Sequence, residues 1–210
     1  VMHVCAARVM VASGSLASEI LLREMALERH LSTLAFSERG SRSHFWAPLS
    51  RLEPDGSGGY QTSASKSWVT SAHHADSLVA SVQMPDAASV QESTLYLVQR
   101  LAKGVEVSGT FDGLGLRGND SAPVEFVNLV VKEEDLLSAQ GEGAAMMLQV
   151  VLPWFCVGTA AMAHGLCLAA IAGTQTHLCG ATLEHEGSQL RDLPNLRARL
   201  AEMNTRTEQS

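Results

Sequence analysis

Asp55-Gly56-Ser57-Gly58-Gly59, running into Tyr60-Gln61-Thr62-Ser63-Ala64-Ser65-Lys66-Ser67-Trp68-Val69-Thr70-Ser71, is the stretch on which the reading of this chain turns. The Asp/Gly/Ser cluster is hairpin-type turn chemistry, because glycine reaches backbone conformations that other residues avoid. The run from Tyr60 to Ser71 has no helical apolar stripe and is rich in residues that suit a pleated, half-buried surface. Further short runs come at similar spacing: Leu78-Val79-Ala80-Ser81-Val82 after Asp76, then Thr94–Leu101, Val105–Phe111 and Val124–Val131. Gly113, Gly115 and Gly118 punctuate the bend between the last two. Several short strands with no helical pattern between them predict an antiparallel barrel or sandwich from Leu31 to about Val131.

On either side the periodicity changes. Val4, Ala7 and Val11, then Ile20, Leu21, Met25 and Leu27, recur at helical spacing over Val1–His30, with a break at Gly14-Ser15. Past Glu133-Glu134-Asp135 the chain turns helical again, and a last amphipathic helix over Leu193–Met203 has Pro194 near its first turn. The fold class is therefore α+β, an antiparallel β-barrel flanked by helical segments. Three parts are expected: residues 1–30 as the end of a helical domain, 31–135 as the β-domain, and 136–210 as the start of a second helical domain. The chain begins at Val1 in mid-pattern and reads as a fragment.

Composition narrows the function classes. A net charge of -7 leaves no basic face for nucleic acid, with 15 Lys and Arg scattered along 210 residues. Cys5, Cys156, Cys167 and Cys179 form no CxxC pair and no regular framework. Free cysteines of this kind suit a reducing compartment, and a cytoplasmic location is expected.

From Gly143 to Leu183 there is no Asp, Glu, Lys or Arg. That length could span a membrane, but Gln149, Pro153, His164, Gln175 and His177 interrupt it, and basic flanks and an aromatic belt are missing. The many small residues, among them Ala160, Ala161, Gly165 and Gly173, instead predict a buried helix at a subunit interface, hence a homo-oligomer (dimer or tetramer) with no membrane span.

Other chemistries find no footing. His73-His74 is adjacent, and on a strand neighbours point to opposite faces, so no metal site is expected. There is no G-x-S-x-G elbow. Gly113-x-Gly115-x-x-Gly118 matches a dinucleotide fingerprint in letters but precedes a strand rather than a helix.

Three segments together resemble the acyl-CoA dehydrogenase family. Leu34-Ala35-Phe36-Ser37-Glu38-Arg39-Gly40-Ser41-Arg42-Ser43 resembles the (S/T)-E-P-x-x-G-S-D loop that enters its β-domain. Gly59-Tyr60, Lys66-Ser67-Trp68-Val69-Thr70-Ser71-Ala72 and Ala75-Asp76 are similar to G-(Y/F)-x-(L/I)-x-G-x-K-x-W-I-T-N…A-D. Gly115-Leu116-Arg117-Gly118-Asn119-Asp120-Ser121 with Val124-Glu125-Phe126 resembles G-(L/M)-R-(G/A)-(S/T)…V-x-F. The likeness covers about Ser32 to Gly173.

The resemblance implies FAD held between the β-domain and helices. Phe36 and Ser37 would contact the flavin ring, Trp68 would cover it, Thr70 would bond near its hydride-accepting nitrogen, and Ser43 would sit near the pyrophosphate and substrate. Arg117 is read as a turn residue. An acyl-CoA-like substrate and an electron-transfer flavoprotein partner are likewise implied. The family's catalytic glutamate, in most members beyond this span and in a minority on the first helix of the C-terminal domain, has no counterpart: Phe155 stands at the second position, with Cys156 beside it. The catalytic residue is thus unknown. His177-Leu178-Cys179-Gly180-Ala181 lacks the arginine that the family uses toward a neighbouring subunit's FAD, and Arg39, Arg42 and His44 replace Pro, Gly and Asp in the loop. Three functions are compatible: α,β-desaturation of an acyl-CoA, a flavin-dependent monooxygenase or oxidase of the same fold, or a non-catalytic assembly protein.

Overall fold

The structure, a computed structural model, describes residues 1–42, 44–56 and 58–210. They divide into two compact units, Val1–Phe155 and Cys156–Ser210. The first unit opens with helices α1 (Met2–Ser13) and α2 (Leu16–Ala26). Gly14, left-handed at φ 61°, stops α1, and Ser15 caps α2 by accepting a hydrogen bond from the Ser18 N–H at 3.2 Å.

The strands lie in two sheets. Sheet A is β1 (Ser32–Ala35), β4 (Ser77–Gln83) and β5 (Ser93–Gln99), in the order β1-β4-β5. Sheet B is β2 (Glu53–Pro54), β3 (Tyr60–Val69), β7 (Ala122–Val131) and β6 (Val105–Val107), in the order β2-β3-β7-β6. Two expectations change here. The described strands form two open sheets rather than a closed barrel, and β1 runs parallel to β4 while the other pairs of both sheets are antiparallel. The parallel pair arises because the chain leaves sheet A, makes β2 and β3 in sheet B, and returns. Strand β6 also ends at Val107, short of Phe111. Beyond Val107↔Val124 its partner strand offers Pro123, which has no N–H to continue the ladder.

Sheet A is covered on both faces. Leu78, Ala80 and Val82 face sheet B, where they pack with Leu52, Val69, Tyr96, Val124 and Phe126. Val79 and Leu95 join Cys5, Val9 and Met10 of α1 in a second cluster, together with Leu34, Phe36, Met147 and Val151. This is why β4 reads as a continuous apolar run instead of an alternating one: every residue of it is buried.

The uncharged stretch begins with a short helix, α3 (Gly143–Met146), and a π-helical turn over Met147–Val151. Pro153 has no N–H for the carbonyl one turn back, which accounts for the loosened ladder. Helix α4 (Leu152–Gly180) comes next. In the second unit the chain continues from α4 through a hairpin of β8 (Thr182–Leu183) and β9 (Ser188–Gln189) into α5 (Pro194–Glu208). The expectation is of a helix buried at a subunit interface, and a single chain shows only the face it would bring to one. Val157, Met162, Leu166 and Leu168 of α4 are exposed, since one chain brings no second layer of apolar side chains over them. By length and composition Gly143–Gly180 is also apolar enough to cross a membrane.

Candidate functional site

Strand β3 carries two irregularities against β7, between Thr62 and Ala64 and between Lys66 and Val69. The second decides where Trp68 points. In a regular strand Lys66 and Trp68 would share a face, and Lys66 is fully buried between the sheets. The irregularity shifts the phase, so that Val69 turns inward at 1% exposure and Trp68 turns outward at 55%. A tryptophan that the strand pattern would bury is thereby released to line a cavity.

That cavity, about 260 Å³, is bounded by Met2, Leu34, Phe36, Ser37, Phe45, Trp68, Thr70, Val151, Leu152 and Phe155. Four of the five residues singled out from the sequence therefore meet at one place: Phe36 and Ser37 after β1, Trp68 near the end of β3, and Thr70 in the turn just beyond it. Ser43, the fifth, lies outside the described residues. The walls are mainly aromatic and aliphatic, and no lining residue is ionisable. Among the described residues, the Ser37 and Thr70 hydroxyls have no hydrogen-bond partner within the chain, so both are available to a ligand. A flat apolar wall with two free hydroxyls at its margin fits a planar aromatic group with a polar edge.

The walls are held by a buried ion pair that the sequence reading left without a role. Lys66 Nζ donates to Glu38 Oε1 at 2.6 Å and to the Ser81 carbonyl at 2.9 Å. Ser50 Oγ also donates to Glu38 Oε1, at 2.6 Å, while Oε2 accepts from the Leu49 and Ser50 N–H groups at 2.7 and 2.8 Å. Burial pushes the Glu38 carboxyl up, but Lys66 and Ser50 outweigh it and leave the group below its ordinary range. Burial pulls Lys66 down, opposed by Glu38. The pair ties the loop after Ser37, which carries Phe45, to the strand that presents Trp68. Backbone bonds reinforce it: the Ser67 N–H donates to the Ser37 carbonyl and the Arg39 N–H to the Ser65 carbonyl, both at 2.9 Å. Glu38 and Lys66 both stood in the quoted motifs, but the bridge that pairs them is seen only in the structure.

His73 and His74 depart from expectation. They sit in a turn, not on a strand, so both rings reach one carboxylate: their Nδ1 atoms lie 2.7 and 2.8 Å from the two oxygens of Asp120. Among the described residues no group of three His, Cys, Asp or Glu is placed to hold a metal ion. Arg117 pairs with Asp112 at 2.9 Å inside its own loop.

The model of the acyl-CoA dehydrogenase middle domain matches residues 33–129, a span that takes in most of both sheets and six of the cavity's ten lining residues. Over 140 residues the chain is 29% identical to an isovaleryl-CoA dehydrogenase, mitochondrial, of Oryza sativa subsp. japonica, covering 66% of this chain and 34% of that protein. A probable acyl-CoA dehydrogenase from Mycobacterium abscessus superposes with a TM-score of 0.85 at 25% identity, covering 95% of this chain and 52% of that one. In sequence and in fold the chain is similar to the acyl-CoA dehydrogenases.

It spans about a third of the curated relatives' length and about half of the solved acyl-CoA dehydrogenase chains. Homologues in this acyl-CoA dehydrogenase family are flavoproteins and oxidoreductases. A further relative, 32% identical over 127 residues and covering 60% of this chain and 29% of its own length, is an amino sugar nitrososynthase of Streptomyces rubradiris.

Proposed function

We propose that this chain forms the FAD-binding part of an acyl-CoA dehydrogenase-type oxidoreductase that desaturates the Cα–Cβ bond of an acyl-CoA thioester. The observation that carries the proposal is the meeting of Phe36, Ser37, Trp68 and Thr70 around one cavity. Bound there, FAD would supply the acceptor for the hydride leaving the β-carbon. Trp68 would form the flat wall, and Ser37 and Thr70 would donate to the polar edge of the ring. Phe36, Phe45 and Phe155 would keep water from the reacting face. Desaturation also needs a carboxylate to take the α-proton. The cavity's own lining residues do not supply one, because Phe155 offers a phenyl ring at the position compared with the family's base. That group must come from chain beyond these residues. Electrons would leave to an electron-transfer flavoprotein.

In the domain reading that accompanies this proposal, residues 1–30 end an N-terminal helical domain, 31–135 form the β-domain and 136–210 begin a C-terminal helical domain. The exposed apolar residues of α4 support a homo-oligomer, dimer or tetramer. Four free cysteines support a reducing compartment, the cytoplasm being the simplest.

The test is anaerobic addition of short and branched acyl-CoAs to the FAD-loaded protein in a form that includes the segment supplying the carboxylate. Bleaching of the flavin band supports desaturation, and a loaded protein of that form that no acyl-CoA bleaches sinks it. A second reading, a flavin monooxygenase or oxidase of the same fold, is favoured by the carboxylate-free cavity and by the nitrososynthase relative. It predicts fast oxygen consumption by the chemically reduced protein with no acyl-CoA present.

A further inference from the structure

Trp68 is more than half exposed, and among the described residues one ring pairs with it: Phe111, in a T-shaped contact with centroids 5.3 Å apart and planes at 76°. Phe111 belongs to no strand or helix. It rides on the loop between β6 and β7, and that loop is fastened at both ends. At its start the Ser108 N–H donates to the Pro123 carbonyl at 3.0 Å. At its finish the Ser71 and Ala72 N–H groups donate to the Asn119 and Asp120 carbonyls, both at 3.0 Å, and the His73 N–H donates to Asp120 Oδ2 at 2.9 Å. These bonds stitch the loop to the turn directly after Trp68 and Thr70. Within the loop, Arg117 and Asp112 close on each other at 2.9 Å.

Gly113 shows why the aromatic can lie there. A Cβ placed on Gly113 would overlap the Phe111 ring. The backbone at 113 therefore lies against the phenyl ring that pairs with the indole. A side chain at 113 would push the ring from its seat.

We infer that Phe111 is a positioning residue for Trp68: it fixes the indole in the orientation in which it walls the cavity, and Gly113 makes the room for it. The consequence for flavin rests on the proposed FAD site; the positioning itself does not. With Phe111 removed or displaced, the indole loses this ring contact, and the strand irregularity has already freed it from the core. An edge-to-face aromatic pair holds its seated arrangement over the released one by roughly 2- to 12-fold.

The experiment uses the whole chain with 5-fluorotryptophan at its three tryptophans, observed by fluorine NMR. Phe111→Ala and Gly113→Ala should each shift the Trp68 resonance and raise the released fraction roughly 2- to 12-fold. The Trp46 and Trp154 signals should stay in place, and Phe111→Tyr should keep the parent Trp68 signal. A Trp68 resonance unchanged in Phe111→Ala, or one that moves only together with Trp46 and Trp154 in both variants, overturns the inference. This readout needs no cofactor. A parent chain that takes up no FAD refutes the flavin reading while the fluorine result still decides the role of Phe111.

Discussion

Replacing Lys66 by Met removes an ammonium group with no exposed side-chain surface and leaves the Glu38 carboxylate, 3% exposed, with three hydrogen-bond donors but no cation. Breaking a buried pair from one side costs about 3–5 kcal/mol, because the remaining charge stays desolvated. That is a large share of a total stability on the order of 5–15 kcal/mol. Removing both charges, in Glu38→Gln/Lys66→Met, should cost clearly less than the Lys66→Met change alone, since the uncompensated charge is gone. The pH dependence separates this from simple loss of packing. In the parent, Glu38 titrates below its unfolded value, so its contribution is complete above the unfolded carboxyl pKa and is lost as pH falls through the folded one. In Lys66→Met the ammonium no longer opposes burial, so the folded carboxyl rises from its parent position. The stability that the parent gains as pH rises through the carboxylate range is therefore reduced in the variant. Urea unfolding followed by circular dichroism at pH 3 and pH 7 measures both effects. A Lys66→Met variant within about 0.5 kcal/mol of the parent, or a loss unchanged by Glu38→Gln, refutes the reasoning.

Trp68→Ala should weaken FAD binding roughly 10- to 100-fold, the loss of one large aromatic contact, measured by quenching of flavin fluorescence on titration. Gly104→Ala should destabilise by about 1–3 kcal/mol, because Gly104 sits at φ +93° and its added Cβ would lie 2.5 Å from the Val127 carbonyl oxygen; thermal unfolding reads this directly. Asp120→Asn should flatten the acid limb of the stability curve. Partial burial pushes the Asp120 carboxyl up, but hydrogen bonds from His74 and His73 hold it below its ordinary value. Its stabilising contribution is therefore present above the unfolded pKa and lost as pH falls through the folded one, which urea midpoints at pH 3 and pH 6 would register.

The helices, the turn before Tyr60 and most strand positions could be read from periodicity, because glycine chemistry and apolar spacing are local. The run Leu78–Val82 was equally visible as a strand, although only its place between α1 and sheet B explains why it lacks alternation. Pairing was not visible: nothing local says that β1 lies parallel to β4. The position of Trp68 shows the same limit. Its neighbours predict a core residue, and the irregularity that turns it outward depends on register against β7, some sixty residues away. His73 and His74 were misplaced because a turn was read as a strand. The cavity residues were found through family motifs, whereas Phe45, Met2 and Leu152 reach it only through the packing of the helices and the loop after Ser37.

Absorption spectroscopy of the chain after loading with FAD and desalting tests the central claim most directly. Retained flavin bands at about one FAD per chain, lost in Trp68→Ala, are predicted if Phe36, Ser37, Trp68 and Thr70 form the flavin wall. A colourless chain that regains its parent circular dichroism and still holds no flavin would contradict it.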